Sequence, residues 1–339
     1  MAVIERRKED LVKNQVYRDN DANLDVLKGK VIAVLGYGIQ GGPQALCMRD
    51  SGLNVIVGAG PRDQFSDWDK AANDGFEVMS IADATRKADI VHVLLADPAQ
   101  PSVYRDSIKK NLKSGCTLSF AHGFNVLYGI IQPPTDVNVV LFVPNSPGHL
   151  VREKYLQGSG IYGAVAVDQD VTGNALEIVL AIAKAVGSTR VGVVGVDFAS
   201  ETEGDNFEEQ VLYGGTIALM QAVFDVMVEN GYAPHFAYAK AIRSLRSVID
   251  VMDEIGIEEY ISERSSRTCE FAVRTSGPRV INRDEIRKIF METSQGDFAA
   301  RWMAEWQIGM VHLNRMRRTG QNSPMEKTGR EWRKLFGKA

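Results

Sequence analysis

Short apolar runs of strand length recur through the first 195 residues, each followed by a segment with helical spacing. They are residues 30–35 (KVIAVL), 54–58 (NVIVG), 89–95 (DIVHVLL), 117–121 (TLSFA) and 138–143 (NVVLFV). Two more, 161–167 (IYGAVAV) and 190–195 (RVGVVG), flank a helix expected from about Asn174 to Ala185. Apolar strands alternating with helices predict a parallel sheet covered on both faces. Beyond Gly195 the pattern changes to helical spacing alone. It covers 207–229, interrupted at Gly214 and Gly215, then 236–254, 283–293 and 297–317. The change predicts a division near residue 196, with an α/β domain over 1–196 and an all-α domain over 197–339. The 207–229 helix is apolar on more than one face, which predicts cover by a second chain or a deep core.

Composition narrows the function classes. A chain of 339 residues with 45% hydrophobic positions is long enough for two cores. A net charge of -4 without a dense Lys/Arg run excludes nucleic acid as a partner. Cys47, Cys116 and Cys269 lie far apart, with neither a disulfide framework nor zinc-ligand spacing, and read as reduced thiols. The opening MAVIERRKEDLVKNQ lacks the apolar core of a signal peptide, and no run approaches the roughly 18 apolar residues of a membrane span. The expectation is a cytoplasmic protein with no membrane partner.

The first strand run ends in Gly36-Tyr37-Gly38-Ile39-Gln40-Gly41, a G-x-G-x-x-G motif that opens a helical segment. Glycines there allow a tight turn and bring backbone N–H groups to a pyrophosphate at a helix N-terminus. In this strand-turn-helix context the motif predicts a Rossmann dinucleotide site. The loop after the second strand selects the cofactor. Arg62 and Ser66 favour the 2′-phosphate of NADP(H), whereas Asp63 and Asp67 oppose it, so NADP(H) and NAD(H) both remain open.

With these residues in view the chain resembles ketol-acid reductoisomerase of the short form over nearly its whole length. The resemblance runs through Leu27-Lys28-Gly29-Lys30, the Gly36–Gly41 motif, Asp97, Gln100 and Tyr104, and Phe120-Ala121-His122-Gly123-Phe124-Asn125. It continues through Pro147-Gly148-His149, Glu201-Thr202-Glu203, Asp205 with Glu209-Gln210, and Ser276-Gly277-Pro278-Arg279. It implies a Rossmann domain, a knotted helical domain, and a homodimer that builds each active site from two chains. It also implies a reaction in which Mg²⁺ binds a small hydroxy-keto acid, an alkyl group shifts, and nicotinamide hydride reduces the new 2-keto acid.

By that resemblance Asp97, Gln100 and Gly123 belong to the cofactor site, His122 is catalytic, and Ser266 binds the substrate carboxylate. Asp205 and Glu209 stand four apart on one helix face and are hard oxygen ligands suited to Mg²⁺. Three positions depart from the family pattern. Lys240 and Ser244 replace two metal-side glutamates, Asn145 replaces an active-site lysine, and Gly42-Pro43 replaces His-Ala. The expectation is therefore one Mg²⁺ per site, with the Lys240 ammonium in place of a second ion and the formal charge conserved.

The sequence thus reads as an oxidoreductase or redox-isomerase acting on a small carboxylic acid, turned toward specialised metabolism. A family branch that closes a cyclopropanol ring from a sulfonium hydroxy acid fits the altered pocket. A simple keto acid or imine reductase, a true ketol-acid reductoisomerase of branched-chain amino acid biosynthesis, and a non-catalytic dinucleotide-binding protein remain as alternatives.

Overall fold

The computed structural model describes residues 15–337, so most of the opening segment read for a signal peptide lies outside the described residues. The chain divides into two units, Met1–Gly204 and Asp205–Ala339. This division falls eight residues after the one expected from sequence, because the helix Phe198–Phe207 packs with the first unit for most of its length.

In the first unit nine strands form one sheet: β1 (Val16–Tyr17), β2 (Val31–Leu35), β3 (Asn54–Ala59), β4 (Glu77–Ser80), β5 (Ile90–Val93), β6 (Thr117–Phe120), β7 (Asn138–Pro144), β8 (Gly163–Gln169) and β9 (Val193–Gly195). Their order is β1-β9-β8-β7-β6-β5-β2-β3-β4. From β4 to β7 every pair is parallel, and the chain reverses direction across the sheet between β2 and β5. That is the strand order of a Rossmann domain, in which the ligand crevice opens at the carboxyl ends of the two strands flanking the switch point.

The sheet is mixed, not wholly parallel as expected: β8 runs antiparallel to β7, and β1 antiparallel to β9. Two-residue β1 and half-exposed β4 carry too little apolar pattern to read as strands. The predicted helix before β9 is present as Ala175–Val186 and contributes nine buried residues to the core.

The second unit is helical, with no strand among the described residues. Its first helix does not break at Gly214 and Gly215. The backbone stays helical from Phe198 to Glu229, and the irregularity lies earlier, in a π-helical turn at Glu208–Tyr213. Uninterrupted, this helix is long and apolar enough to cross a membrane by length and composition, which corrects the sequence reading. Within the chain only Phe224 of Gly214–Glu229 is buried, while Ile217, Leu219, Val223 and Val226 are exposed. A deep core is therefore not what covers this helix. The predicted 297–317 helix splits into Asp297–Gln307 and Val311–Gln321, because Gly309 and Met310 both take positive φ.

Candidate active site

The dinucleotide loop joins β2 to the helix Gly41–Asp50, and its three glycines answer three different demands. Gly36 turns the chain with φ +93°. A Cβ on Gly38 would meet nothing within 4 Å, so that position is open for a ligand to approach. A Cβ on Gly41 would stand 2.0 Å from the Gly36 carbonyl oxygen, so only glycine lets the helix start this close to the strand. Ile39 is exposed and Gln40 half-buried.

Tyr37 differs from its expected role. Its ring is buried against Phe76 and its hydroxyl donates to Asp74 at 2.7 Å, so only its backbone belongs to the loop surface. Burial and this carboxylate hold the phenol well above its ordinary pKa.

The specificity loop brings Arg62 to Asp69 at 2.6 Å, both exposed, and Ser66 precedes the helix Asp67–Asn73 without capping it. Asp67 accepts a hydrogen bond from the Tyr37 backbone N–H at 3.3 Å, so a carboxylate sits beside the glycine loop.

The carboxyl ends of β5 and β6 carry a polar cluster. His122 Nδ1 lies 2.8 Å from Asp97 Oδ2. Gln100 Nε2 donates to the Leu95 carbonyl and to Asp97 Oδ1, while Asn125 Nδ2 donates to Gln100 Oε1 and the Asp97 carbonyl. Asp97 is therefore a partner of His122. Gln100 is buried with its amide spent on this loop, so it supports the crevice from behind. Gly123 is required for packing, since a Cβ there would lie 2.1 Å from Thr202 Oγ1. Asn145 is exposed after β7, and its backbone N–H donates to the Tyr162 carbonyl.

In the second unit Asp205 lies in the last turn of the helix Phe198–Phe207, and Glu209 lies in the following π-helical turn. Such turns widen a helix locally and recur at functional sites. Glu208 joins them: its carboxylate, with Asp205 and Glu209, holds the Tyr213 phenol above its ordinary pKa. Sequence spacing points to Asp205 and Glu209 and is silent on Glu208 and Tyr213, which the π-turn brings into the same stretch.

Lys240 also sits in a π-helical turn, Ala239–Arg243, with its ammonium 5.5 Å from the centre of the Phe236 ring. Ser266 caps the helix Arg267–Ser276, its hydroxyl accepting from Cys269 N–H at 3.2 Å, which leaves the O–H proton to donate. Arg267 and Arg274 are both tied to Glu270. No group of three or more His, Cys, Asp or Glu residues able to hold a metal occurs among the described residues of one chain.

Two family profiles divide the chain between them. Residues 26–192 match the NADPH-binding domain of acetohydroxy acid isomeroreductase, and residues 198–338 match the C-terminal domain of ketol-acid reductoisomerase. Ketol-acid reductoisomerase (NADP(+)) of Methanocaldococcus jannaschii is 45% identical over 327 residues, covering 95% of this chain and 98% of that one. The enzyme of the same name from Pyrobaculum calidifontis is 44% identical over 326 residues, covering 95% and 98%. The solved structure of an NADH-preferring ketol-acid reductoisomerase from an uncultured archean superposes with a TM-score of 0.91 at 37% identity, over 96% of this chain and 100% of that one. With both halves matched, in order and at full length, the chain belongs to the ketol-acid reductoisomerase family.

Proposed function

We propose that the chain is a ketol-acid reductoisomerase that converts a small hydroxy-keto acid and reduces it with nicotinamide hydride. The observation that carries this reading is the Asp97–His122 pair at the carboxyl ends of β5 and β6, beside the Gly36–Gly41 loop. Full-length relatives at 42–45% identity bear that name, which favours the ordinary reaction over the specialised one expected from sequence. None of these names carries sulfonium or cyclopropanol chemistry, and that reading is set aside.

With Nδ1 engaged by Asp97, proton exchange with a substrate oxygen falls to Nε2 of His122. Asp205 and Glu209 fit Mg²⁺, which accepts one or two carboxylates and keeps several waters. When bound, the ion polarises the substrate oxygens. Ser266 donates its hydroxyl proton to the substrate carboxylate, and Lys240 supplies positive charge for the same acid. A homodimer covers the exposed apolar face of Gly214–Glu229, and the enzyme is cytoplasmic. Asp63, Asp67 and Asp69 outnumber Arg62 in the specificity loop, and Arg62 is tied to Asp69, so the enzyme accepts NADH as well as NADPH.

A second reading, reduction without alkyl migration, is favoured by Lys240 and Ser244 standing where the resemblance leads one to expect glutamates. One assay separates the two. Purified protein with Mg²⁺ and either cofactor is given 2-acetolactate or the already isomerised 3-hydroxy-3-methyl-2-ketobutyrate. Oxidation of cofactor with both supports the full reaction, and with the second alone supports reduction only. Cofactor binding without turnover of either acid removes both readings and leaves a non-catalytic dinucleotide-binding protein.

A further inference from the structure

A line of hydrogen bonds runs from the interior of the sheet to the surface of the dinucleotide loop. Ser119 Oγ on β6 lies 2.9 Å from His92 Nδ1 on β5. His92 Nε2 lies 3.0 Å from Gln44 Oε1 on the helix that follows the glycine loop. Gln44 Nε2 donates to Gln40 Oε1 at 3.2 Å, and Gln40 Nε2 donates to the Ser146 carbonyl at 2.9 Å. Ser119, His92 and Gln44 are fully buried.

The far end dictates the direction of the whole line. A carbonyl only accepts, so Gln40 must turn its NH₂ toward Ser146 and its oxygen toward Gln44. Gln44 then presents its own oxygen to His92. The imidazole must carry its proton on Nε2 and accept at Nδ1 from the Ser119 hydroxyl. Burial without an acidic partner keeps His92 neutral, with its pKa lowered to about 4, so the ring can play both parts at neutral pH. Each bond in the line then pairs one donor with one acceptor.

The line joins two loops that also touch through their backbones. A Cβ on Gly148 would stand 1.9 Å from the Ile39 carbonyl oxygen, so the segment after β7 is pressed directly onto the glycine loop. The motif supplies the glycines but does not by itself state which shape the loop holds before the cofactor arrives.

We propose that His92 and Gln44 are positioning residues for dinucleotide binding, which act through Gln40 to lock the Gly36–Gly41 loop against the Asn145–Ser146 segment. Locking the loop in advance removes an ordering cost that binding would otherwise meet. The inference rests on NADPH binding by this unit and is independent of which acid is reduced.

The test is the NADPH dissociation constant, measured by calorimetry at 25 °C for the full chain and its variants. His92→Leu and Gln40→Leu are each expected to weaken binding by about tenfold, and the double variant by no more than either alone, because both cut one line. His92→Gln, which returns an N–H for Gln44 Oε1, is expected to recover affinity to within about threefold. A lower melting temperature for His92→Leu with unchanged NADPH affinity would mark a purely structural role and overturn the proposal. So would effects that multiply in the double variant. If His92→Leu does not fold, Gln44→Met decides, since it keeps the side-chain volume outside the glycine loop and removes both of that residue's bonds in the line: unchanged affinity there overturns the proposal, and a tenfold loss supports it.

Discussion

An Asp205→Asn enzyme is expected to lose at least about a hundredfold in turnover of any reducible 2-keto acid while binding NADPH normally. Asp205 and Glu209 are the acid pair that the helix after Phe198 presents, and Glu208 and the Tyr213 hydroxyl stand beside them. Asparagine keeps the size and one oxygen but removes the charge that a hard divalent cation requires. Charge stabilisation by such a cation is worth several kcal/mol, and each 1.4 kcal/mol or so is a factor of ten in rate. The dinucleotide loop belongs to the other unit, so its affinity for NADPH should not move. Isothermal titration with Mg²⁺ and steady-state kinetics check both halves. Retention of full turnover in Asp205→Asn would remove this residue from the chemistry.

A Gly38→Ala chain is expected to bind NADPH about a hundredfold more weakly and yet melt at the wild-type temperature. The added methyl meets nothing within 4 Å in the folded chain, and Gly38 is not in the left-handed region, so folding has no reason to suffer. The open space over Gly38 is where a pyrophosphate must approach the backbone N–H groups. A methyl there holds the phosphate off, and weakening two charge-assisted hydrogen bonds accounts for a loss of that size. Gly41→Ala provides the contrast. Its Cβ would collide with the Gly36 carbonyl, so that variant should lose stability as well as affinity. Affinity of Gly38→Ala within about threefold of wild type would show that the cofactor does not cross the loop at this point.

Seven of the nine strands were legible because each lies in a short, mostly apolar run, and a strand buried on both faces announces itself without alternation. β4 escaped because its run, Glu77–Ser80, is only four residues long and polar and exposed at both ends. The helix Arg267–Ser276 escaped because its apolar face is exposed within the chain and its polar positions dominate the pattern. Gly214 and Gly215 were misread as a break. A helix interior tolerates glycine at roughly 1 kcal/mol each, which the surrounding apolar stretch outweighs.

The candidate site divides in the same way. Gly36, Gly38 and Gly41 could be read from order alone, since their roles depend on neighbours a few residues away along the chain. The link between Asp97 and His122 could not, because 25 residues separate them and only the parallel pairing of β5 with β6 brings their carboxyl ends together. His92 is fully buried, and nothing in its sequence neighbourhood points to Gln44 or Gln40.

By itself the sequence determined which residue types were present in which local frames: the glycine turn after a strand, the i,i+4 acid pair and the helical second half. Tertiary structure alone decided which side chains meet. It made Asp97 the partner of His122, turned Gln100 and Tyr37 into the interior, and aligned Ser119, His92, Gln44 and Gln40 into one directed line. The reason is physical: local pattern reports hydrophobic periodicity and backbone geometry, whereas a hydrogen bond between distant residues exists only after the sheet has chosen its strand order.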